Sequence, residues 1–181
     1  MAGPSGAGKG SIVRRLLQRE PALWWSVSVT TRQPRAGEVE GVDYRFVSRD
    51  DFESARDADG FLEWFEVYGD LKGTPRAPVE EHLAAGENVL LEVDVQGAMA
   101  VRSAYPDALL VFVQPPSRSV QRQRLLERDP QADPADLERR LAEAEAEEAF
   151  AAQFDAVVVN DDLDRAVEQV AAILKARREI A

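Results

Sequence analysis

Apolar positions along the chain cluster in short runs separated by stretches of helical spacing. Residues 89–94, 108–113 and 156–159 are almost continuously apolar and read as buried strands. Between and after them, residues 96–104, 117–128, 133–153 and 162–178 carry a helical pattern, with Ser117 and Asp133 placed to cap two of these helices. Nearer the start, residues 12–17 read as a helix, 24–29 and 41–47 as strands, and 50–58 as a short helix with Ser48 or Asp50 near its cap. Residues 60–67, apolar and aromatic, predict another strand. Residues 69–75 predict a turn, after which Pro75 opens a helix through Ala85 that Gly86 stops. Buried strands alternating with helices predict an α/β fold with a parallel sheet. Residues 28–86 break that rhythm with shorter strands, more turns and more aromatics, which suggests an inserted subdomain.

Composition narrows the function. A chain of 181 residues with 45% hydrophobic residues is one domain with a real core. Its formal charge of −11 disfavours nonspecific nucleic-acid or anionic-membrane binding, so phosphate binding must rest on local basic clusters. Without cysteine there is no disulfide and no thiolate metal site, and the single His82 excludes a histidine-rich one. No apolar run approaches the roughly 20 residues that span a bilayer, and no secretory leader is visible, so the cytoplasm is the default location. The only lysines are Lys9, Lys72 and Lys175.

The first of these lysines sits in the most informative stretch: Gly3, Pro4, Ser5, Gly6, Ala7, Gly8, Lys9, Gly10 and Ser11. The spacing G-x-x-x-x-G-K before a helix is that of a loop whose backbone N–H groups cradle phosphates. The positive end of the following helix dipole favours the same anion, and Lys9 would place an ammonium on its outer oxygens. Ser11, one place later than usual, is the candidate metal-facing hydroxyl. Such a loop ordinarily follows a strand, yet only Met1 and Ala2 precede it. The expectation is therefore a sheet whose first core strand is missing, and a functional protein that starts further upstream.

With the glycine loop, the stretches Thr31-Arg32-Gln33-Pro34-Arg35-Ala36-Gly37-Glu38, Gly41-Val42-Asp43-Tyr44, Phe61-Leu62-Glu63-Trp64 and Gly73-Thr74-Pro75 make the chain resemble guanylate kinases. The resemblance continues through Leu91-Glu92-Val93-Asp94-Val95-Gln96-Gly97-Ala98, Pro115-Pro116-Ser117, Arg124-Leu125 and Val159-Asn160-Asp161, in family order from end to end. The resemblance implies transfer of the terminal phosphate of ATP to GMP, and to dGMP, with Mg²⁺. It implies a core of residues 1–27, 87–119 and 141–181, a GMP-binding part at 28–86 and a lid at 120–140.

The site residues follow from the same match. Lys9 and the loop would hold ATP, with Asn160 near the adenine or serving only as a loop residue. Arg32 and Arg35 would grip the GMP phosphate as planar forks, helped by the Tyr44 hydroxyl. Glu63 would accept from the guanine N1–H and 2-amino group, and Ser28 and Thr74 would meet the base. Asp94 would lie on the GMP and metal side, and Glu92 is either a ligand or a structural acid. Arg124, Arg128 and Arg140 would close over the phosphates, although Arg128 is also placed as an ordinary helix C-terminal charge.

The chain departs from the family pattern at Lys72, which stands where the family has Tyr. It would either contact the GMP phosphate directly or point into water. Asp129-Pro130 replaces the usual Gly after Arg128, which puts lid closure in question. Two other readings compete: a catalytically impaired guanylate-kinase-like binding module, and a kinase for a sugar phosphate. Intact Lys9, Arg32, Arg35 and Glu63 favour the enzyme.

Overall fold

A computed structural model describes residues 1–35, 37–67, 69–131 and 133–180. Ala36 of the 31–38 stretch and Ala132 of the expected 129–134 loop lie outside the described residues. In chain order, the first half contains α1 (Lys9–Arg19), β1 (Leu23–Ser26), β2 (Val29–Thr30), β3 (Arg45–Phe46), α2 (Arg49–Asp57), β4 (Phe61–Val67) and β5 (Asp70–Pro75). It continues with α3 (Arg76–Ala84), β6 (Asn88–Leu91), α4 (Val95–Ala104), β7 (Val111–Gln114) and α5 (Arg118–Arg128). Last come α6 (Pro134–Glu148), a 3-10 turn at Ala151–Gln153, β8 (Ala156–Val159) and α7 (Leu163–Ile180).

These elements form two compact units. One comprises Met1–Glu20 with Asp107–Ala181, the other Pro21–Pro106. In the first, β7 and β8 pair in parallel from Val111–Ala156 to Gln114–Val159. On the other edge of β7, Ala2 makes a single parallel bridge to Phe112, donating to Val111 O at 2.9 Å and accepting from Val113 at 2.8 Å. The slot that sequence leaves without a strand thus holds one rung of ladder. Phe112, Val113 and Val158 are buried together with Ile12, Val13 and Leu16 of α1 and Val167 and Val170 of α7. Helices α1 and α7 pack on each other, and their rim carries the Arg15–Asp164 pair at 3.0 Å.

The second unit holds a parallel β1–β6 pair and a four-stranded sheet of order β3-β2-β5-β4. In that sheet β5 runs antiparallel to both β2 and β4, while β2 and β3 are parallel. Its small core is Val29, Phe52, Phe61 and Leu71, with the Phe52 and Phe61 rings stacked 4.3 Å apart. Ser48 caps α2 by accepting from the Asp51 N–H at 3.1 Å.

Several predicted boundaries shift. The strand expected over 24–29 divides into β1 and β2, which belong to different sheets. Of the strand expected at 41–47, only Arg45–Phe46 is in a ladder, because residues 41–44 turn back so that Gly41 N–H meets Tyr44 O at 2.8 Å. The turn expected at 69–75 is mostly the strand β5. Gly73 there is no turn signal: it lies opposite Trp64, where a Cβ would fall 2.9 Å from Glu63 O. The strand expected at 89–94 ends at Leu91, and Asp94 caps α4 instead, accepting from Gly97 N–H at 2.7 Å. The strand expected from Ala108 starts at Val111, and the long helix expected to Gln153 ends at Glu148 before the 3-10 turn. Helices α1, α2, α3, α4, α5 and α7 and strands β4 and β8 fall within a few residues of their predicted places.

Candidate active site

In the first unit the glycine loop runs into α1, whose first turn carries no acidic residue. Gly8 caps that helix in the left-handed conformation, at φ 88°, and a Cβ on it would fall 2.3 Å from Asn160 Nδ2. The loop carbonyls are held from one side. Gln121 Nε2 donates to Ser5 O at 2.7 Å and Asn160 Nδ2 to Ala7 O at 2.8 Å. Arg124 reaches Gly6 O and Ala7 O at 3.5 Å each and Asn160 O at 2.9 Å. A trans peptide points its N–H opposite to its C=O. Holding the Ser5 and Ala7 carbonyls toward these side chains therefore aims the Gly6 and Gly8 N–H groups the other way, as an anion cradle requires. Lys9 Nζ donates to Gly3 O at 2.5 Å and Pro4 O at 3.2 Å, so its ammonium is docked on the loop it serves. Ser11 is exposed on the first turns of α1.

Of the three arginines expected over the phosphates, Arg124 touches the loop. Arg140, on α6, pairs with Asp136 at 2.6 Å, and Arg128 ends α5 as an exposed residue. Asn160 is buried and spends its amide N–H on the loop, so here it is a brace.

The second unit gathers the other expected residues. Glu63, on β4, is 8% exposed, and Thr74 on β5 donates its hydroxyl to Glu63 Oε1 at 2.5 Å. Burial pushes the Glu63 carboxyl above its usual range and the Asp94 charge adds to this, while the Thr74 hydrogen bond and the Lys72 ammonium oppose it. Lys72 lies two residues before Thr74, hence on the same face of β5. It donates to Glu92 O at 3.4 Å and sits 5.4 Å from the Tyr44 ring centre. Burial pulls the Lys72 ammonium down, but Tyr44, Glu92, Asp94 and Glu63 together hold it above its ordinary value. Of the two orientations open to Lys72, the structure has the inward one.

Arg32 lies over Tyr44 and Phe46, at 5.1 and 5.6 Å from the ring centres. Glu38 grips it with two hydrogen bonds of 2.8 and 2.9 Å and also accepts the Arg35 N–H at 2.7 Å. A carboxylate thus holds the planar fork in the geometry that a phosphate needs. Arg35 is half-buried beside it, and Ser28 is buried at the end of the same sheet, its carbonyl accepting from Arg45 N–H at 2.9 Å. Sequence reading gave Glu38 and Gln121 no role. The available signals were the spacing of Glu38 behind the arginine pair and the placement of Gln121, Arg124 and Arg128 on one face of α5.

The sequence that builds these elements matches a known family over nearly its whole length. The guanylate kinase profile covers residues 1–177. The chain belongs to the guanylate kinase family. A guanylate kinase of Synechococcus sp. is 53% identical over 170 residues, spanning 94% of this chain and 90% of that protein. One from Thermus thermophilus is 51% identical over 178 residues, spanning 98% and 80%. The crystal structure of guanylate kinase from Anaplasma phagocytophilum superposes with a TM-score of 0.76 at 32% identity, over 92% of this chain and 80% of that one. The mixed α/β architecture is therefore that of guanylate kinases, and no helix among the described residues is long and apolar enough to cross a membrane.

Proposed function

We propose that this chain transfers the terminal phosphate of ATP to GMP, giving ADP and GDP, and accepts dGMP as well. The observation that carries the reading is Glu63: a buried carboxylate, oriented by Thr74, in the same sheet as Lys72 and in the same unit as Arg32. A carboxylate suits the adjacent N1–H and 2-amino donors of guanine, and the adenine edge offers no such pair. Ser28 and Thr74 would complete the base contacts. Arg32, Arg35, Tyr44 and Lys72 would neutralise the GMP phosphate, with Glu38 yielding Arg32 to it. Glu92 would support Lys72 through its carbonyl. Residues 28–86 would act as the GMP-binding part and 120–140 as the lid.

On the donor side, Lys9 and the amides of residues 3–11 would hold the ATP phosphates, with Arg124, Arg128 and Arg140 adding charge and Asn160 bracing the loop. In the transfer, an oxygen of the GMP phosphate bonds to the terminal phosphorus while the bridging bond to ADP breaks. Positioning and neutralisation supply most of the catalysis, because the moving group needs little covalent help.

Among the described residues no group of three or more His, Asp or Glu side chains forms a metal cage. That fits Mg²⁺, which keeps its waters and binds through one or two protein oxygens plus substrate phosphates. The exposed Ser11 hydroxyl fits that role. Asp94 commits one oxygen to Gly97 N–H and has the other to offer. When bound, the ion would neutralise phosphate charge.

An assay of ADP release with GMP, dGMP, AMP and a ribose bisphosphate tests the reading. Turnover is expected with GMP and dGMP and not with the other two. Folded protein that consumes no ATP when given GMP and Mg²⁺ would sink it. No observation favours the impaired binding module.

A further inference from the structure

Gln121 is wholly buried, yet it is a polar side chain on a helix. Both of its ends are used. Its amide N–H donates to Ser5 O across 116 positions of sequence, at 2.7 Å, and its amide oxygen accepts from Arg118 Nη1 at 2.8 Å. Arg118 in turn gives Nη2 to Glu148 Oε2 at 2.8 Å, at the end of α6. An unbroken line thus runs Glu148, Arg118, Gln121, Ser5, from α6 through α5 into the glycine loop. The contact is close: a Cβ on Gly6 would fall 3.0 Å from Gln121 Cγ.

We propose that Gln121 is a positioning residue for the donor nucleotide, one that sets the direction of the Ser5–Gly6 peptide plane and is itself set by Arg118 and Glu148. The Ser5 carbonyl and the Gly6 N–H lie on opposite edges of one rigid plane. While Gln121 holds the carbonyl, the N–H faces away from α5, where a phosphate oxygen can accept it. Gly6 sits at φ 82°, and glycine crosses between backbone regions readily, so the plane needs an external tether. A leucine at 121 would fill the space but release the plane. A buried amide is costly unless both ends are satisfied, and here both are. The line through Arg118 also couples the α5–α6 pair to the loop, so their position biases how well the cradle is formed.

The inference rests on the loop binding ATP, and its test separates the two claims. Gln121→Leu, Gln121→Glu and Arg118→Gln are compared with the parent chain in full steady-state kinetics and in direct titration with ATP, each with a melting curve. Gln121→Glu keeps the acceptor for Arg118 and loses the donor to Ser5. The two Gln121 variants are expected to raise the KM and Kd for ATP about tenfold and to leave the KM for GMP within about twofold. Arg118→Gln, which leaves the packing around Gln121 filled, is expected to shift the same constants in the same direction by about two- to threefold. A loss of packing alone would lower the melting temperature and leave the ATP-to-GMP contrast unchanged. Equal ATP constants in Gln121→Glu and the parent, or equal losses for both nucleotides, would overturn the inference while GMP phosphorylation by the parent stands. A parent chain that binds no ATP would bring down the functional reading and this inference with it.

Discussion

Glu63, buried, and Glu38, half-buried, are two carboxylates with opposite linkage to folding. Burial pushes Glu63 above its usual value, Asp94 adds to that, and Thr74 and Lys72 recover only part. A group that binds its proton more tightly when folded contributes most stability at low pH, and that contribution falls as pH rises through its folded value. Ionised Glu63 is therefore a cost to the fold that serves recognition. Glu63→Gln should leave the melting temperature at pH 8 equal or higher while raising the KM for GMP about 10- to 100-fold, since a hydrogen bond to a charged group contributes about 1.5–3 kcal/mol. Melting curves and GMP kinetics on the same preparation check both halves. For Glu38, burial also pushes upward, but the Arg32 and Arg35 hydrogen bonds and charges outweigh it and hold the carboxyl below 4.5. Its stabilisation is complete above the unfolded value and is lost as pH falls through the lower folded one. Glu38→Gln should melt below the parent at pH 7, and the gap should close in acid, below about pH 4.5.

At the scale of elements, the four-stranded sheet of the second unit depends on very little core. Val29, Phe52, Phe61 and Leu71 hold α2 on the sheet, with Phe52 fully buried and stacked on Phe61. Removing so large a side chain from so small a cluster leaves a cavity that its neighbours cannot close. Phe52→Ala should cost about 3–5 kcal/mol, read as a lower denaturant midpoint. Because β4 and β5 carry Glu63, Lys72 and Thr74, the same change should raise the KM for GMP more than that for ATP. Helix α5 plays the corresponding part in the first unit, where Gln121 and Arg124 on one of its faces hold the glycine loop.

For the molecule as a whole, the net charge of −11 confines anion binding to places where cations are gathered, as Arg32 and Lys72 are over Tyr44. Labelled duplex DNA at physiological salt should show no anisotropy change below about 10⁻⁴ M protein, the weak end of ordinary nonspecific binding. Sequence by itself determined the chemistry that depends on near neighbours: the glycine loop, the caps at Ser117 and Asp133, most helices, the α/β class and the residue types of both candidate sites. Those features are set within a few residues by backbone freedom, capping and periodicity. Tertiary structure alone decided what depends on distant partners. It divided residues 24–30 between two sheets, made a strand of 70–75 because β2 and β4 flank it, turned Lys72 inward onto the Glu92 carbonyl, and gave Gln121 its carbonyl at Ser5. A strand needs a partner and a buried amide needs an acceptor, and here each partner comes from a remote part of the chain that no local pattern reveals.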